Sequence, residues 1–235
     1  MTRRRWIADE HQEDRASLLG QNAAHLSRVL RARKGEEYDI VCEGSVRVGT
    51  IDSITEERVE FTLGEVVATR QERETILLMA VYKFDRMEWA IEKCTELGAT
   101  RIIPVIARRT DAHLASSAAK RVERWRRIAH EAAQQSRRRN IPTIEDPMKF
   151  KEAVALKCGL RLLLNENERS KNIFDFLQNY DSEVAFAVGP EGGWTDEELL
   201  QFGAEGWQSV TLGSQILRAE TAAIAAAAAA SMSLR

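Results

Sequence analysis

The alternation of apolar and polar positions changes character near residue 70. Before that point, short apolar runs separated by glycine and charged residues predict strands at 38–44, 46–54 and 58–64. One helical stretch is predicted near residues 22–31. This pattern of short strands is typical of a small β-barrel or β-sandwich.

After residue 74, apolar strands alternate with amphipathic helices. Strands are predicted at 75–82, 101–106, 160–164, 183–188 and 208–212, and helices at 85–97, 116–138, 147–156, 196–203 and 217–234. This alternation is typical of a mostly parallel sheet covered on both faces. The predicted fold class is therefore α/β, with a small β domain in residues 1–72 and an α/β domain in residues 73–235.

Composition narrows the function classes. The formal charge of the 235 residues is −2, so any nucleic-acid surface has to be a local patch. Cys42, Cys94 and Cys158 lie far apart without a C-x-x-C pair, so no zinc or other metal site is predicted. No apolar run is long enough to span a membrane, and the first residues lack a signal-peptide core. We expect a soluble cytoplasmic protein.

A glycine loop, VGPEGGWTDEEL at residues 188–199, joins a predicted strand to an acidic helix start. Glycines at such a junction let backbone approach a ligand. Glu191 and three carboxylates of the following helix turn would repel a phosphate, and no lysine follows as in a Walker loop. The loop also follows the fourth strand of its domain, whereas a Rossmann loop follows the first. The pattern favours a cationic or neutral ligand, and the alternative is a tight turn without one.

A second loop starts the segment TLGSQILRAETAAIAAAAAAS at residues 211–231. Nine of the twelve residues 219–230 are alanine, which is typical of a helix in a core or a subunit interface. Arg218, Glu220 and Thr221 stand in its first turns, where buried polar groups need partners. Loops that follow consecutive parallel strands meet at one edge of the sheet, where open α/β sheets bind ligands. We expect one crevice between the two loops.

Both segments resemble signature sequences of the RsmE family, the ribosomal RNA uridine-N3 methyltransferases of the SPOUT class. Three further matches are KFDRMEWAIEKCTELGATRIIPV (83–105), RWRRIAHEAAQQSRR (124–138) with Ile141-Pro142, and HLSRVLR (25–31). The resemblance implies a C-terminal trefoil knot, a PUA-like RNA-binding barrel in front of it, and a homodimer. It also implies S-adenosylmethionine as methyl donor and a uridine of 16S ribosomal RNA in the small ribosomal subunit as acceptor.

The resemblance also implies which residues bind the donor. They are Leu164, Asn165, Glu166, Gly189, Pro190, Glu191, Gly192, Gly193, Leu212, Gly213, Ile216, Leu217 and Thr221. The chain departs from the family pattern after Gly213, where Ser214 and Gln215 replace proline and arginine, and at Ala219, where an oxygen-bearing residue is expected.

A basic stretch is the candidate RNA surface. Between residues 120 and 139 eight positive side chains outnumber two negative ones. A helix there would place Val122, Trp125 and Ala129 on an apolar stripe with arginines opposite. The alternative is an ordinary solvated helix face. The predicted RNA-binding residues are Arg3, Arg4, Arg5, Arg28, Arg31, Arg124, Arg127, Arg137 and Arg138.

The reaction requires loss of the uracil N3 proton, and a nearby cation favours the resulting anion. Arg218 is predicted for that role. Glu220 would orient Arg218 or accept the proton through water, and the alternative is that the two form a structural ion pair. Two other functions stay open from sequence: a non-catalytic ribosome assembly factor that binds RNA, and a related enzyme that methylates the ribose 2′-oxygen.

Overall fold

The computed structural model describes residues 3–67, 73–178, 180 and 182–233. The chain divides into two compact units, Met1–Gln71 with Ala133–Asn140, and Glu72–Ala132 with Ile141–Arg235. The domain boundary predicted between residues 72 and 73 touches the segment 68–72, which lies outside the described residues, and it stays a prediction.

The first unit is built on a six-stranded sheet. Its strands are β1 (Arg5–Ile7), β2 (Glu10–Gln12), β3 (Arg15–Leu19), β4 (Glu37–Cys42), β5 (Ser45–Ile54) and β6 (Arg58–Val66), in the order β1-β4-β5-β6-β3-β2. Helix α1 (Gly20–Ala24) continues into a π-helical turn, His25–Val29. Leu18, Ile40 and Phe61 are fully buried in its core. The strands predicted from β4 to β6 are confirmed.

The second unit contains a parallel sheet. Its strands are β7 (Thr75–Ala80), β8 (Arg101–Ile106), β9 (Thr143–Ile144), β10 (Met148–Lys149), β11 (Leu160–Leu164), β12 (Val184–Val188) and β13 (Gln208–Val210). The order is β10-β8-β7-β12-β11-β13, with β9 also paired to β8. Every pairing is parallel, which confirms the α/β class.

Helices cover both faces of this sheet. They are α2 (Phe84–Glu96), α3 (Ala112–Ser117), α4 (Val122–Gln135), α5 (Phe150–Val154), α6 (Ile173–Leu177), α7 (Asp196–Ala204) and α8 (Ala219–Met232). Leu77 and Met79 of β7 belong to the core shared with α2, α4 and α8, while Ile76 and Leu78 belong to the core shared with α5 and α7. This alternation confirms the prediction of a sheet buried on both sides.

The predicted helix 116–138 differs from the observed one. Asp111 caps α3 by accepting hydrogen bonds from the backbone N–H groups of His113 (2.8 Å) and Leu114 (3.2 Å). A 3₁₀ turn, Ala118–Arg121, separates α3 from α4. The apolar stripe is confirmed, because Val122, Trp125 and Ala129 are buried. Among the helices of the described residues, none has the length and apolarity needed to cross a membrane.

Candidate active site

A cavity of about 330 Å³ opens at the carboxyl ends of β11, β12 and β13, which are neighbours in the sheet. Leu164, Val188 and Val210, the last residues of these strands, all line it. The volume is in the range of small-molecule sites. The predicted crevice therefore exists, and it has three walls, one from the loop after each strand.

The first wall is the glycine loop. Gly193 adopts the left-handed backbone region with φ of 70°, and its N–H donates to the Pro190 carbonyl at 2.8 Å. This turn leads into α7, where Thr195 and Glu198 form the reciprocal capping box that the sequence predicts. Gly189, Pro190, Glu191 and Gly193 line the cavity.

Two residues of the segment after β8 fix this loop. The Arg109 guanidinium donates from Nη1 to the carbonyl of Gly192 at 2.6 Å and to that of Trp194 at 3.4 Å. The backbone N–H of Arg108 donates to Glu198 Oε1 at 2.8 Å. The geometry of the loop thus depends on residues more than 80 positions earlier, which sequence reasoning missed because no local pattern marks them.

The second wall follows β13. Thr211 Oγ1 accepts from the N–H of Gly213 at 3.2 Å and donates to the Gly213 carbonyl at 2.8 Å. Gly213 has φ of 134°, a conformation that favours glycine. Beyond it, Ile216 is 75% exposed although it lines the cavity. This wall is therefore a tight turn followed by an open apolar edge.

The third wall is the turn after β11. Asn165 donates from Nδ2 to Ser209 Oγ at 3.0 Å and accepts at Oδ1 from the Asn167 N–H at 3.0 Å. Glu168 accepts from three successive backbone N–H groups, those of Arg169, Ser170 and Lys171. The hydrogen bonds from the N–H and the hydroxyl of Ser170 are the main cause that lowers the pKa of Glu168 to about 2. The turn is thus held by its own side chains.

Most residues predicted to bind the donor come together in the cavity. They are Leu164, Asn165, Glu166, Gly189, Pro190, Glu191, Gly193, Leu212, Gly213, Ile216 and Leu217. Gly192 and Thr221 are not among its lining residues; the Gly192 carbonyl faces Arg109, and Thr221 is exposed on α8. Gln215, at the position where the chain departs from the family pattern, lines the cavity as well.

Arg218 and Glu220 lie in different surroundings. Arg218 lines the cavity at the N-cap of α8 and is exposed. Glu220 is buried, its Oε1 lies 3.9 Å from Arg86 Nε, and its Oε2 finds no hydrogen-bond partner within the described part of the chain. The described residues show no ion pair between Arg218 and Glu220, so the alternative of a structural pair between them is wrong.

Arg86 is a lining residue that the sequence prediction did not single out. Its Nη1 donates to Glu191 Oε1 at 2.7 Å, in addition to the contact with Glu220. The segment that contains Arg86, KFDRMEWAIEK, indicated only the resemblance to the family. Arg169 also lines the cavity and is exposed.

The predicted RNA-binding arginines fall into three groups. Arg3 and Arg5 pair with Asp39, Arg28 pairs with Glu56, and Arg124 pairs with Glu88. Arg4, Arg31, Arg127 and Arg137 are exposed. Arg138 is only 5% exposed, because the chain leaves α4 at Gln135 and turns at Arg137, which has φ of 58°. The prediction that Arg138 projects from the polar helix face is therefore wrong.

The chain matches known proteins over most of its length. Residues 69–231 match the family model of the RNA methyltransferase domain. Ribosomal RNA small subunit methyltransferase E of Bacillus subtilis is 31% identical over 224 residues, which cover 88% of this chain and 85% of that protein. The protein of the same name from Synechocystis sp. is 35% identical over 84% of this chain, which spans 66% of that relative, just under two thirds of its length.

A solved structure is similar over both units. It is the crystal structure of ribosomal RNA small subunit methyltransferase E from Neisseria gonorrhoeae bound to S-adenosyl methionine, with a TM-score of 0.82 and 31% identity over 97% of this chain and 96% of that one. The resemblance found in the sequence is confirmed. The chain belongs to the RNA methyltransferase domain family and, within it, to the ribosomal RNA small subunit methyltransferase E proteins.

Proposed function

We propose that this protein transfers the methyl group of S-adenosylmethionine to N3 of a specific uridine in 16S ribosomal RNA. The observation that carries the proposal is the three-walled cavity, which gathers eleven of the thirteen residues predicted for the donor at three adjacent strand ends. Family membership supports it, as does the bound S-adenosyl methionine of the gonococcal relative.

The cavity fits the proposed donor chemically. S-adenosylmethionine supplies a methyl group on a positively charged sulfonium and carries no phosphate. Glu166 and Glu191 line the cavity, and the Glu191 carboxylate already neutralises Arg86. The described lining residues contain no lysine but include Arg86, Arg169 and Arg218, so the charges around the cavity are mixed. Glu166 and Glu191 are the lining groups that would attract the sulfonium.

Arg218 is the residue that we propose for stabilising the uracil anion. Its exposed side chain borders the cavity, and no carboxylate among the described residues holds it in an ion pair. A free guanidinium beside the reacting nitrogen favours the deprotonated base over the neutral one. Glu220 is buried and adjacent to Arg86. The role predicted for Glu220 in orienting Arg218 has no supporting contact among the described residues, and its role in accepting the proton through water stays a prediction.

We also propose that arginines on the two units bind RNA phosphates. Arg4, Arg31, Arg127 and Arg137 are exposed. These four guanidinium groups are accessible to phosphate oxygens, whereas Arg124 would first have to leave Glu88. The target base has to be unpaired or flipped to enter the cavity.

The finer assignments rest on the family resemblance. They are a PUA-like character of the first unit, a trefoil knot in the second, a homodimer and a cytoplasmic location. The six-stranded sheet of the first unit supports the PUA-like assignment. The small side chains of α8 support the knot and the dimer, since they permit close approach of another segment.

Methyl transfer from radiolabelled donor to small ribosomal subunits tests the proposal. The subunits are purified from cells that lack the gene, so that the target position is unmodified. We expect the label to enter 16S ribosomal RNA, and subunits from cells with the gene to accept none. An assembly factor without catalytic activity would transfer no label to either preparation.

A further inference from the structure

Arg86 connects two elements that border the cavity. It stands in the first turn of α2, and its Nη1 lies 2.7 Å from Glu191 Oε1 on the glycine loop. Its Nε lies 3.9 Å from Glu220 Oε1 in the first turn of α8. One guanidinium therefore contacts one carboxylate on each of two elements that are far apart in sequence.

Because Glu220 is buried, loss of its contact with Arg86 costs more stability than loss of a surface ion pair does. The Glu220 side chain is 7% exposed, and its Oε2 has no hydrogen-bond partner in the described residues. A buried carboxylate is costly unless a cation is close, and Arg86 is the cation that the structure places within 4 Å of it. Without Arg86, Glu220 would be left as an uncompensated charge beside the cavity.

The Tyr82 hydroxyl belongs to the same surroundings. It is buried and has no hydrogen-bond partner among the residues that the structure describes. Burial is the main cause that raises the pKa of Tyr82 well above its ordinary value, and the carboxylates of Glu220 and Glu191 also raise it. Arg86 is the cation that contacts both carboxylates.

Resting on the proposed function, we propose that Arg86 is a positioning residue for the methyl donor: it holds the glycine loop against α8 and so fixes one wall of the donor site. The guanidinium suits this role because its separate nitrogens face two carboxylates at once, whereas a lysine ammonium is a point charge. A wall fixed in advance lowers the cost of ordering the loop when the donor binds.

Replacing Arg86 by glutamine tests this inference. We expect Arg86→Gln to weaken binding of S-adenosylhomocysteine about tenfold in calorimetry, as for loss of a partly buried charge pair. The KM for the donor should rise by a similar factor, with kcat changed by less than about threefold, because binding is lost equally in the ground and transition states. Arg86→Lys, which keeps the charge, should recover part of the affinity.

Lys93→Gln is the matched control. Lys93 is on the same helix and pairs with Glu92 at 2.7 Å and Glu96 at 2.8 Å, and it does not line the cavity. It should leave donor affinity and KM unchanged. A purely structural ion pair at Arg86 would instead lower the melting temperature without a selective change in donor affinity or KM.

Glu191→Gln provides a second reading if Arg86→Gln does not fold. It removes the loop side of the contact and should weaken donor binding by a comparable factor. In an Arg86→Lys background it should lower the affinity only by the part that the lysine recovers. Wild-type affinity in both Arg86→Gln and Glu191→Gln overturns the inference while leaving the proposed function intact. A wild-type protein that neither binds nor transfers overturns the proposed function, and this inference with it.

Discussion

The buried carboxylate of Glu198 accepts a hydrogen bond from the backbone N–H of Arg108 at 2.8 Å, across 90 residues of sequence. Its other oxygen accepts from the N–H of Thr195 at 2.9 Å. Glu198 thus caps α7 and fastens the segment after β8 at the same time. The position of the glycine loop therefore depends on both contacts of Glu198, the one with Arg108 and the one with Thr195.

Glu198→Ala should destabilise the protein by about 2–3 kcal/mol, because charge-assisted hydrogen bonds are lost and buried donors are left unpaired. Urea unfolding of the variant measures this loss. Glu197 is exposed in the same helical turn, so Glu197→Ala should cost only about 0.3–1 kcal/mol through the helix dipole. Equal effects of the two substitutions would contradict the role assigned to Glu198.

Gly193→Ala should be strained. With φ of 70°, an alanine there costs about 1–2 kcal/mol from backbone strain alone. The loop would also shift, so donor affinity should fall together with stability. Gly203 is inside α7, and a Cβ placed on it meets nothing within 4 Å. Gly203→Ala should therefore stabilise by about 0.5–1 kcal/mol, and thermal unfolding distinguishes the two changes.

The turn at Glu168 should respond to acid. The folded pKa is about 2, below the ordinary 4.5. A lowered carboxylate pKa gives a contribution that is complete above the unfolded pKa and is lost as pH falls through the folded value. Protection of the Ser170 amide from hydrogen exchange should therefore persist at pH 5 and decline toward pH 2. Glu168→Ala should lack this protection at pH 5, and an unchanged amide in that variant would refute the assignment.

Arg218→Ala should lower kcat about 10²-fold, the usual scale for removing one group that stabilises an oxyanion. S-adenosylhomocysteine should bind as before, because Arg218 is exposed and no described carboxylate holds it. Arg218→Lys should retain part of the activity. A fall in donor affinity that accounts for the whole loss would place Arg218 in donor binding instead. Single-turnover methyl transfer measures the rate of the chemical step, and calorimetry measures the affinity for S-adenosylhomocysteine.

Arg127→Gln should weaken RNA binding and reduce the salt dependence by about one phosphate contact. Arg127 is exposed, whereas Arg126 on the same helix is held by Glu123 at 2.7 Å and Asp146 at 3.3 Å. Arg126→Gln should therefore have a smaller effect on RNA affinity. The comparison requires binding measured at several salt concentrations. An unchanged salt slope in Arg127→Gln would identify the helix face as ordinary solvated surface.

Local patterns predicted the elements that are long and regular. Strand β7 is buried throughout and α2 has one apolar face, so both were found nearly to the residue. The short strand β2 was missed because its residues Glu10–Gln12 are all exposed and polar. Helix α6 has only five residues, too few to show a helical period.

Contacts between distant segments are what the sequence could not supply. The composition of the glycine loop predicted a ligand site, but the contacts of the loop with Arg86 and Arg109 span 105 and 83 residues. Arg138 was assigned to a surface because helical periodicity was extended past Gln135, where the helix ends. Periodicity predicts which face of a helix is buried, and it does not predict where the chain leaves the helix.

The proposed function depends most on which atom of the RNA receives the methyl group. Small subunits lacking the modification can be incubated with the protein and a donor carrying a deuterated methyl group. Their 16S RNA is then digested to nucleosides for mass spectrometry. We predict a single labelled product, uridine methylated on N3. Label on a ribose 2′-oxygen, or no labelled nucleoside at all, would contradict the proposed function.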